Sequence, residues 1–150
     1  MEVFHILNDD DKVLASSTPM LSQWLEIKES LGDEIVFCRV GDFFELFFDD
    51  AIRASSILDL QLTKRKISKS TYPMAGVPVR SLDTYVSKLI KLGYKVAIID
   101  QLEDAKKTSG MLKRGLTKII TPGTITDQLM LEPGKNNYIS SLHMGKLSKE

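Results

Sequence analysis

The stretch that decides the fold is Gly41-Asp42-Phe43-Phe44-Glu45-Leu46-Phe47-Phe48. It follows an apolar run, Ile35–Val40, and the Gly-Asp pair between the two is typical of a turn that joins adjacent strands. Side chains in the second strand are expected to alternate between two faces with a period of two. One face is then wholly apolar, and it is the predicted core face: Phe44, Leu46 and Phe48.

The opposite face of the same strand carries Phe43, Glu45 and Phe47. It places an aromatic ring two residues from a carboxylate, close to the turn. A ring held on a sheet beside a hydrogen-bond acceptor can stack on a flat molecule and test its edge. The alternative is structural, because most phenylalanine-rich strands are core and Glu45 would then be a solvated position. The pattern alone leaves both alternatives open.

Length and composition bound the class of protein. The chain has 150 residues, of which 43% are hydrophobic and 27% charged, as is typical of one soluble globular domain. Its single cysteine, Cys38, excludes an internal disulfide and agrees with a reducing, intracellular compartment. No apolar run approaches the roughly 18 residues of a membrane span, and no basic secretory signal is present, so we expect no membrane partner.

The net charge is zero, but the charges are segregated along the chain. Residues 60–82 contain five basic residues and no acid, residues 105–128 contain five and one acid, and acids concentrate in residues 26–59. These basic residues are Lys64, Arg65, Lys66, Lys69, Arg80, Lys106, Lys107, Lys113, Arg114 and Lys118. If the two stretches meet, they form one phosphate-facing surface. The alternative is a set of solvated side chains in loops.

The rest of the chain alternates helices with strands. Residues 1–17 are predicted to be a flexible lead-in, residues 18–131 the domain, and residues 132–150 a linker. Helices are predicted from Thr18-Pro19 to Gly32, from Asp49-Asp50 to about Asp59 with Ile52, Ile57 and Leu58 buried, from Ser81 to Gly93, and briefly within 124–131. Strands are predicted at 60–65, 94–100 and 116–121, with a basic loop at 66–71 and an extended segment at 72–78. Because the first two strands are adjacent, the fold class is α/β with a mixed sheet and helices packed around it.

Familiar catalytic signatures are absent from the sequence. There is no Gly-x-x-x-x-Gly-Lys-Ser/Thr phosphate loop and no Gly-x-Ser-x-Gly elbow, and the two histidines lie in the two tails. One acidic group has the chemistry to bind Mg²⁺ for phosphodiester cleavage, and it consists of Asp42, Glu45, Asp49 and Asp50. The alternative interpretation assigns Asp42 to the turn, and Asp49 and Asp50 to a helix N-terminus.

Five short motifs occur in the order seen at the N-terminus of the MutS family of DNA mismatch repair proteins, which this chain resembles over residues 18–131. They are Thr18-Pro19-Met20, Gly41 to Phe47, Leu62-Thr63-Lys64-Arg65, Pro73-Met74-Ala75-Gly76-Val77-Pro78 and Thr121-Pro122-Gly123-Thr124. The resemblance implies a fold like that of MutS domain I. It also implies that residues 132–150 lead toward a connector domain.

The resemblance also implies roles for individual residues. In the family's Phe-x-Glu motif the ring enters the duplex from the minor groove and stacks on a mispaired base, to which the carboxylate hydrogen-bonds; these positions are Phe43 and Glu45. The middle position is Phe44, where bacterial members often carry tyrosine. The other residues implied to contact DNA are Lys64, Arg65, Lys66, Met74, Gly76 and Pro78.

Three functions follow as hypotheses. The first is a mismatch-recognition module that binds mismatched double-stranded DNA, needs no cofactor of its own and is not itself an enzyme. The resemblance places ATP and Mg²⁺ in the full-length ATPase outside this segment, and it implies a homo- or heterodimer with a MutS-type subunit. The second is a metal-dependent nuclease that uses Asp42, Glu45 and Asp49. The third is a protein-interaction domain of a non-reading homologue, which would lack the Phe and Glu that are present here.

Overall fold

A six-stranded mixed sheet forms the centre of the molecule. The computed structural model describes residues 7–104, 109–124, 131, 133–136 and 138–142. Its helices are α1 (Asp9–Ser16), α2 (Pro19–Ser30), α3 (Phe48–Leu58) and α4 (Leu82–Lys91), the last preceded by a 3-10 turn at Val79–Ser81. Its strands are β1 (Ile35–Val40), β2 (Phe43–Phe47), β3 (Thr63–Ile67), β4 (Ser70–Pro78), β5 (Val96–Gln101) and β6 (Arg114–Ile120).

The strand order across the sheet is β3-β4-β2-β1-β5-β6. β1 and β5 are parallel, and the other neighbouring pairs are antiparallel. The parallel pair is separated in the chain by β2, α3, β3, β4, the 3-10 turn and α4, whereas β1 and β2 join directly through a tight turn. The prediction of an α/β fold with a mixed sheet and helices around it is confirmed.

Helices cover both faces of the sheet, and each face has its own apolar core. On the α3–α4 face, the helices contribute Ala51, Ala54, Leu58, Val86, Leu89 and Ile90 to a buried cluster. The strands meet them there with Ile35, Phe37, Phe44, Leu46, Ala75, Val77, Val96, Ile98 and Ile120. On the α1–α2 face, the buried cluster contains Leu7, Ala15, Leu21, Trp24, Leu25, Val36, Cys38, Phe47, Phe48, Tyr72, Ala97 and Ile99.

Phe48 does not share the core face of Phe44 and Leu46, so that part of the face prediction is wrong. β2 ends at Phe47, and Phe48 begins α3 with a φ of 53°. This left-handed conformation breaks the period-two alternation, and the Phe48 ring enters the α1–α2 core. There it stacks on Trp24 and Tyr72, with ring centroids 5.5 Å and 5.2 Å away. Phe47 is fully buried in the same cluster, so of the three residues on this strand face only Phe43 and Glu45 lie outside the core.

A short helix lies within the stretch predicted to be a flexible lead-in. The Asn8 side chain caps α1 by accepting a 2.7 Å hydrogen bond from the backbone N–H of Asp11. Three acids in the first turn interact favourably with the helix dipole, and Ala15 is buried. The secondary structure of residues 9–16 therefore differs from the prediction, because few apolar side chains mark this helix. Residues 1–6 of the lead-in lie outside the described residues.

The next two helices follow the sequence pattern with local exceptions. Thr18 caps α2 by accepting from the backbone N–H of Leu21, as predicted, although the helix ends at Ser30 and not at Gly32. In α3, Ile52 is 48% exposed, which contradicts its predicted burial. Leu58 is buried as predicted, and Ile57 packs against the same cluster; the small residues Ala51 and Ala54 complete the buried side of α3, where the helix packs closely on the sheet.

The strands that carry the basic residues lie at opposite edges of the sheet. β3 runs from Thr63 to Ile67 rather than from 60 to 65, and the predicted basic loop at 66–71 is a hairpin into β4. β6 forms the other edge. Five strand spacings of about 4.8 Å separate the two edges by roughly 24 Å. Among the described residues, the basic side chains of β3 and β6 therefore do not share one edge of the sheet, although the charges of Arg65 and Arg114 both act on Glu45; Lys106 and Lys107 lie outside the described residues. The helix predicted within 124–131 falls almost wholly outside the described residues.

A buried ion pair connects α2, β1 and α3. The Lys28 ammonium donates to both carboxylate oxygens of Asp50, at 3.0 Å and 2.8 Å, and to the carbonyl oxygen of Glu34 at 2.8 Å. The backbone N–H of Val36 also donates to Asp50, at 3.1 Å. Burial raises the pKa of Asp50, and Lys28 opposes that rise. Asp50 is thus a structural residue and not simply a helix-terminal acid.

Candidate nucleic-acid interface

The turn between β1 and β2 presents Phe43 at the end of the sheet. Gly41 has a φ of 61° at the first position of this two-residue connection, a conformation that favours glycine. The backbone N–H of Val79 donates to the carbonyl oxygen of Asp42 at 3.0 Å, which attaches the turn to the start of the 3-10 turn. Phe43 is 48% exposed, whereas the adjacent Phe44 is 3% exposed. The predicted opposite placement of these two rings is confirmed.

Three alternate residues of β4 lie beside the β2 residues on this face. Phe43 pairs with Pro78, Glu45 with Gly76, and Phe47 with Met74. The face defined by Phe43, Glu45, Arg65, Met74, Gly76 and Pro78 is called the Phe43 face below. α1 and α2 pack on the same side of the sheet, and the Phe43 face is the end of that side that they leave uncovered.

Gly76 keeps the backbone of β4 uncovered on the Phe43 face. A Cβ atom built there would lie 3.7 Å from Cγ of Glu45 and 3.9 Å from Cδ1 of Phe43, which are ordinary contact distances. The missing side chain therefore leaves the backbone of β4 accessible between the two predicted contact residues. A flat ligand can approach the ring and the carboxylate closely at this point.

Glu45 is largely covered and is paired with an arginine. Its side chain is 14% exposed, and its Oε2 atom lies 3.3 Å from Nη1 of Arg65. Burial raises the pKa of Glu45, while the charges of Arg65 and then of Arg114 oppose that rise. Arg65 itself is 49% exposed and also contacts the sulfur of Met74 at 3.9 Å. The carboxylate is thus held beside Phe43 by a partner that remains open to solvent.

The alternation of β3 divides the three predicted basic residues between two faces. Arg65 is opposite Tyr72 in the β3–β4 register, on the Phe43 side of the sheet. Lys64 and Lys66 pair with Pro73 and Thr71, and their side chains therefore belong to the other side. The structure brings Phe43, Glu45, Arg65, Met74, Gly76 and Pro78 together on one face. It leaves the two lysines exposed at the sheet edge behind that face.

The charge of Arg114 opposes the rise that burial causes in the pKa of Glu45, an interaction that sequence spacing does not indicate. Its Nε donates to the carbonyl oxygen of Arg39 at 3.0 Å, and its Nη1 donates to that of Leu112 at 3.2 Å. The backbone N–H of Arg114 donates to the side-chain oxygen of Gln23 at 2.7 Å. These bonds fix the position of Arg114 on β6, two strands beyond β1. Only the strand order reveals this interaction, because 69 residues separate Glu45 and Arg114 in the sequence.

The acids proposed for a nuclease are not gathered into one metal site. Glu45 pairs with Arg65, and Asp50 is buried with Lys28. Asp49 lies toward α1, where burial, then the charges of Asp10 and Asp49, raise the pKa of Asp11. Within the part of the chain that the structure describes, no group of three or more His, Cys, Asp or Glu residues is arranged to hold a metal ion. This arrangement does not support the nuclease hypothesis.

Among the described residues, no helix is both long enough and apolar enough to cross a membrane.

The mixed six-stranded sheet with its four helices agrees with the class of fold found in the first domain of mismatch-repair proteins. The family model described as "MutS domain I" matches residues 18–129. The chain therefore belongs to the MutS domain I family.

Relatives named "DNA mismatch repair protein MutS" are about half identical to this chain. The protein from Staphylococcus epidermidis is 51% identical over 129 residues, which are 85% of this chain and 15% of the relative. One from Clostridium botulinum is 52% identical over 128 residues, 85% of this chain and 14% of the relative. One from Acetivibrio thermocellus is 49% identical over 134 residues, 89% of this chain and 15% of the relative. The chain thus spans about 15% of the length of these relatives.

Proposed function

We propose that this domain recognises mispaired or looped sites in duplex DNA and thereby initiates mismatch repair. Phe43 enters the duplex from the minor groove and stacks on a mispaired base, and Glu45 accepts a hydrogen bond from that base. The observation that carries the proposal is the half-exposed Phe43 ring at the open end of the sheet, beside the Glu45 carboxylate. The family membership of the chain adds support.

The physical basis of selectivity is the deformability of the DNA. An apolar wedge inserted between base steps must unstack them, at a cost of a few kcal/mol, and it kinks the duplex. A mismatch has already lost part of its pairing and stacking, so the same insertion costs less there than in matched DNA. Selection by deformability accepts many different mismatches, because it does not depend on the identity of one base.

The residues around Phe43 supply the contacts that position the duplex. Met74, Gly76 and Pro78 flank the β2 residues in register, so the β4 backbone would follow the groove wall next to the inserted ring. Arg65 lies on the same face, and Lys64 and Lys66 lie at the edge behind it, where they would reach the flanking phosphates.

The whole protein would combine this module with the activities implied by the family. Its relatives carry the name of a mismatch repair protein. We infer that the full-length protein is an intracellular ATPase that uses ATP and Mg²⁺ outside this segment and acts as a dimer with a MutS-type subunit. The domain itself would bind DNA without catalysing a reaction and without a cofactor. The presence of both Phe43 and Glu45 favours a reading domain over a non-reading one.

A binding titration tests the proposal. The full-length protein and its Phe43→Ala variant would be titrated with matched and G·T-mismatched duplexes at two salt concentrations. The wild type should prefer the mismatch, and Phe43→Ala should lose most of that preference while it keeps the salt-dependent background binding. Base–aromatic stacking in single-strand binders is worth roughly 1–3 kcal/mol, which sets the scale of the loss. An unchanged preference in Phe43→Ala would contradict the proposed insertion.

A further inference from the structure

The ion pair between Arg65 and Glu45 is asymmetric in exposure. The Glu45 side chain is 14% exposed and the Arg65 side chain 49% exposed, and their closest atoms are 3.3 Å apart. Arg65 lies on edge strand β3, and its further contacts are with the hydroxyl of Tyr72, its register partner on β4, and with the sulfur of Met74 at 3.9 Å. The guanidinium is therefore the member of the pair that can change partner without exposing a buried group.

A comparison with Arg114 supports this difference in freedom. Arg114 also stabilises the charge of Glu45, but three hydrogen bonds to the side chain of Gln23 and the carbonyl oxygens of Arg39 and Leu112 hold it in place. If Arg65 leaves, Glu45 keeps the favourable field of this fixed cation. One arginine is thus a permanent support for the carboxylate, and the other is exchangeable.

We propose that Arg65 is a specificity-determining positioning residue that exchanges Glu45 for a DNA phosphate only when a mispaired base takes its place on the carboxylate. This inference rests on the proposed function. On matched DNA no base offers Glu45 a hydrogen bond, so Arg65 remains on Glu45 and shields it from the phosphates. On mismatched DNA the base donates to Glu45, and the released guanidinium reaches a phosphate.

The exchange makes the number of phosphate contacts depend on the mismatch. Each phosphate contact contributes about 0.9 to the slope of the logarithm of affinity against the logarithm of salt concentration in duplex DNA. The wild-type protein should therefore show a slope that is steeper by about 0.9 on mismatched than on matched duplex. A simple phosphate-binding arginine would give the same slope on both duplexes.

Two variants at the pair test the exchange from both sides. Arg65→Gln removes the exchangeable cation, so both duplexes should give the shallower slope. Glu45→Gln removes the competitor, so Arg65 should reach a phosphate on either duplex and both should give the steeper slope. The difference of about 0.9 should disappear in each variant, and Arg65→Lys should restore part of it. A slope difference that persists in Arg65→Gln would overturn the proposal.

Lys64→Gln and Lys66→Gln are matched controls. Each removes one positive charge from the same strand, but on the face away from Glu45. Each should change the slopes on the two duplexes by equal amounts and leave their difference intact. Loss of the difference in these lysine variants would show that strand charge, and not the partner exchange, produces it, and would overturn the proposal.

A measurement without DNA tests the pair itself. Titration of the Glu45 carboxyl by ¹³C NMR in the 150-residue chain should show a higher pKa in Arg65→Gln than in the wild type, since a charge that opposes the effect of burial is lost. An unchanged pKa in a folded variant would overturn the proposal. The failure of the proposed function is distinguishable: if Phe43→Ala removes the mismatch preference but the wild-type slopes are equal, only the exchange is wrong.

Discussion

Asp50 and Glu45 are two covered carboxylates with cationic partners, and they differ in almost everything else. Asp50 accepts two hydrogen bonds from Lys28 and one from the backbone N–H of Val36; its own side chain is buried, and that of Lys28 is only 11% exposed. Glu45 has one 3.3 Å contact to Arg65, whose guanidinium is half exposed. Burial raises the pKa of both acids. The Asp50 site is satisfied within the protein, whereas the Glu45 site retains acceptor capacity for another molecule.

The difference shows how one kind of interaction serves either folding or recognition. A buried, fully hydrogen-bonded pair is expensive to break, because either ion left alone is desolvated and unpaired. In the Glu45 pair the arginine is half exposed and the fixed charge of Arg114 remains when Arg65 leaves, so this partner can be exchanged at a smaller cost. Position in the fold decides between the two, since the Asp50 pair joins α2, α3 and β1 in the interior, whereas the Glu45 pair lies at the open end of the sheet.

The largest expected effect is on stability and compares the two cations. Lys28→Met should lower the free energy of unfolding by about 3–5 kcal/mol, because it leaves Asp50 buried without its charge partner. Arg65→Gln should change it by less than about 1 kcal/mol. Chemical denaturation of the 150-residue chain measures both. Lys12→Met is the control, since it breaks the more exposed Lys12–Glu29 pair and should also cost less than about 1 kcal/mol. Equal losses of unfolding free energy in Lys28→Met and Arg65→Gln would show that the two ion pairs contribute alike to stability.

A second test compares the two adjacent rings. Phe44→Ala should cost roughly 3–5 kcal/mol of unfolding free energy, because it empties a core position on the α3–α4 face. Phe43→Ala should stay within about 0.5 kcal/mol, since its ring is half exposed. Thermal melts of the two variants report the difference directly. If Phe43→Ala destabilises the domain as much as Phe44→Ala, the ring belongs to the fold and the insertion hypothesis loses its basis.

The smallest expected effect concerns Glu45 and matched DNA. On matched DNA the half-exposed Arg65 shields the Glu45 carboxylate only in part, so some repulsion from the phosphates remains; two unit charges about 4 Å apart in water interact by about 1 kcal/mol, which sets the upper limit. Glu45→Gln should therefore raise the affinity for matched duplex by up to about fivefold and narrow the preference for mismatches. Fluorescence titrations at low salt, where such repulsion is least screened, provide the measurement. If Glu45→Gln leaves matched-DNA affinity unchanged, Glu45 has no role in selectivity.

Local patterns in the sequence predicted the hairpin and the opposite placement of Phe43 and Phe44. Both follow from a Gly-Asp turn signal and the period-two alternation of one strand, which involve only neighbouring residues. The mixed sheet was predictable for the same reason, since two adjacent strands precede the alternating elements. Strand alternation places Phe48 in the wrong core because nothing in the residue type indicates its positive φ. The apolar pattern does not reveal α1 because this helix buries little apart from Ala15, although Asn8 and the three acids of its first turn are typical of a helix N-terminus.

The partners of the carboxylates could not be predicted from the sequence. Arg65 is 20 residues from Glu45, and Lys28 is 22 residues from Asp50, so no helical or strand spacing connects them. Their proximity depends on which strands become neighbours. The same strand order places β3 and β6, which carry Arg65 and Arg114, at opposite edges of the sheet, where the sequence predicts one surface. Charge counts describe the composition of a segment, whereas the strand order decides which charged side chains lie close together.

The reactivity of Cys38 reports how often strand β1 opens to solvent. It lies fully buried on β1, directly opposite Glu45 in the β1–β2 register, and burial raises the pKa of its thiol to about 12. Because the thiolate is the reactive form, a labelling reagent can modify this single cysteine only when β1 opens to solvent. The labelling rate therefore times the opening of the strand that supports the Phe43 turn. Any ligand that binds to that turn should lower the labelling rate of Cys38.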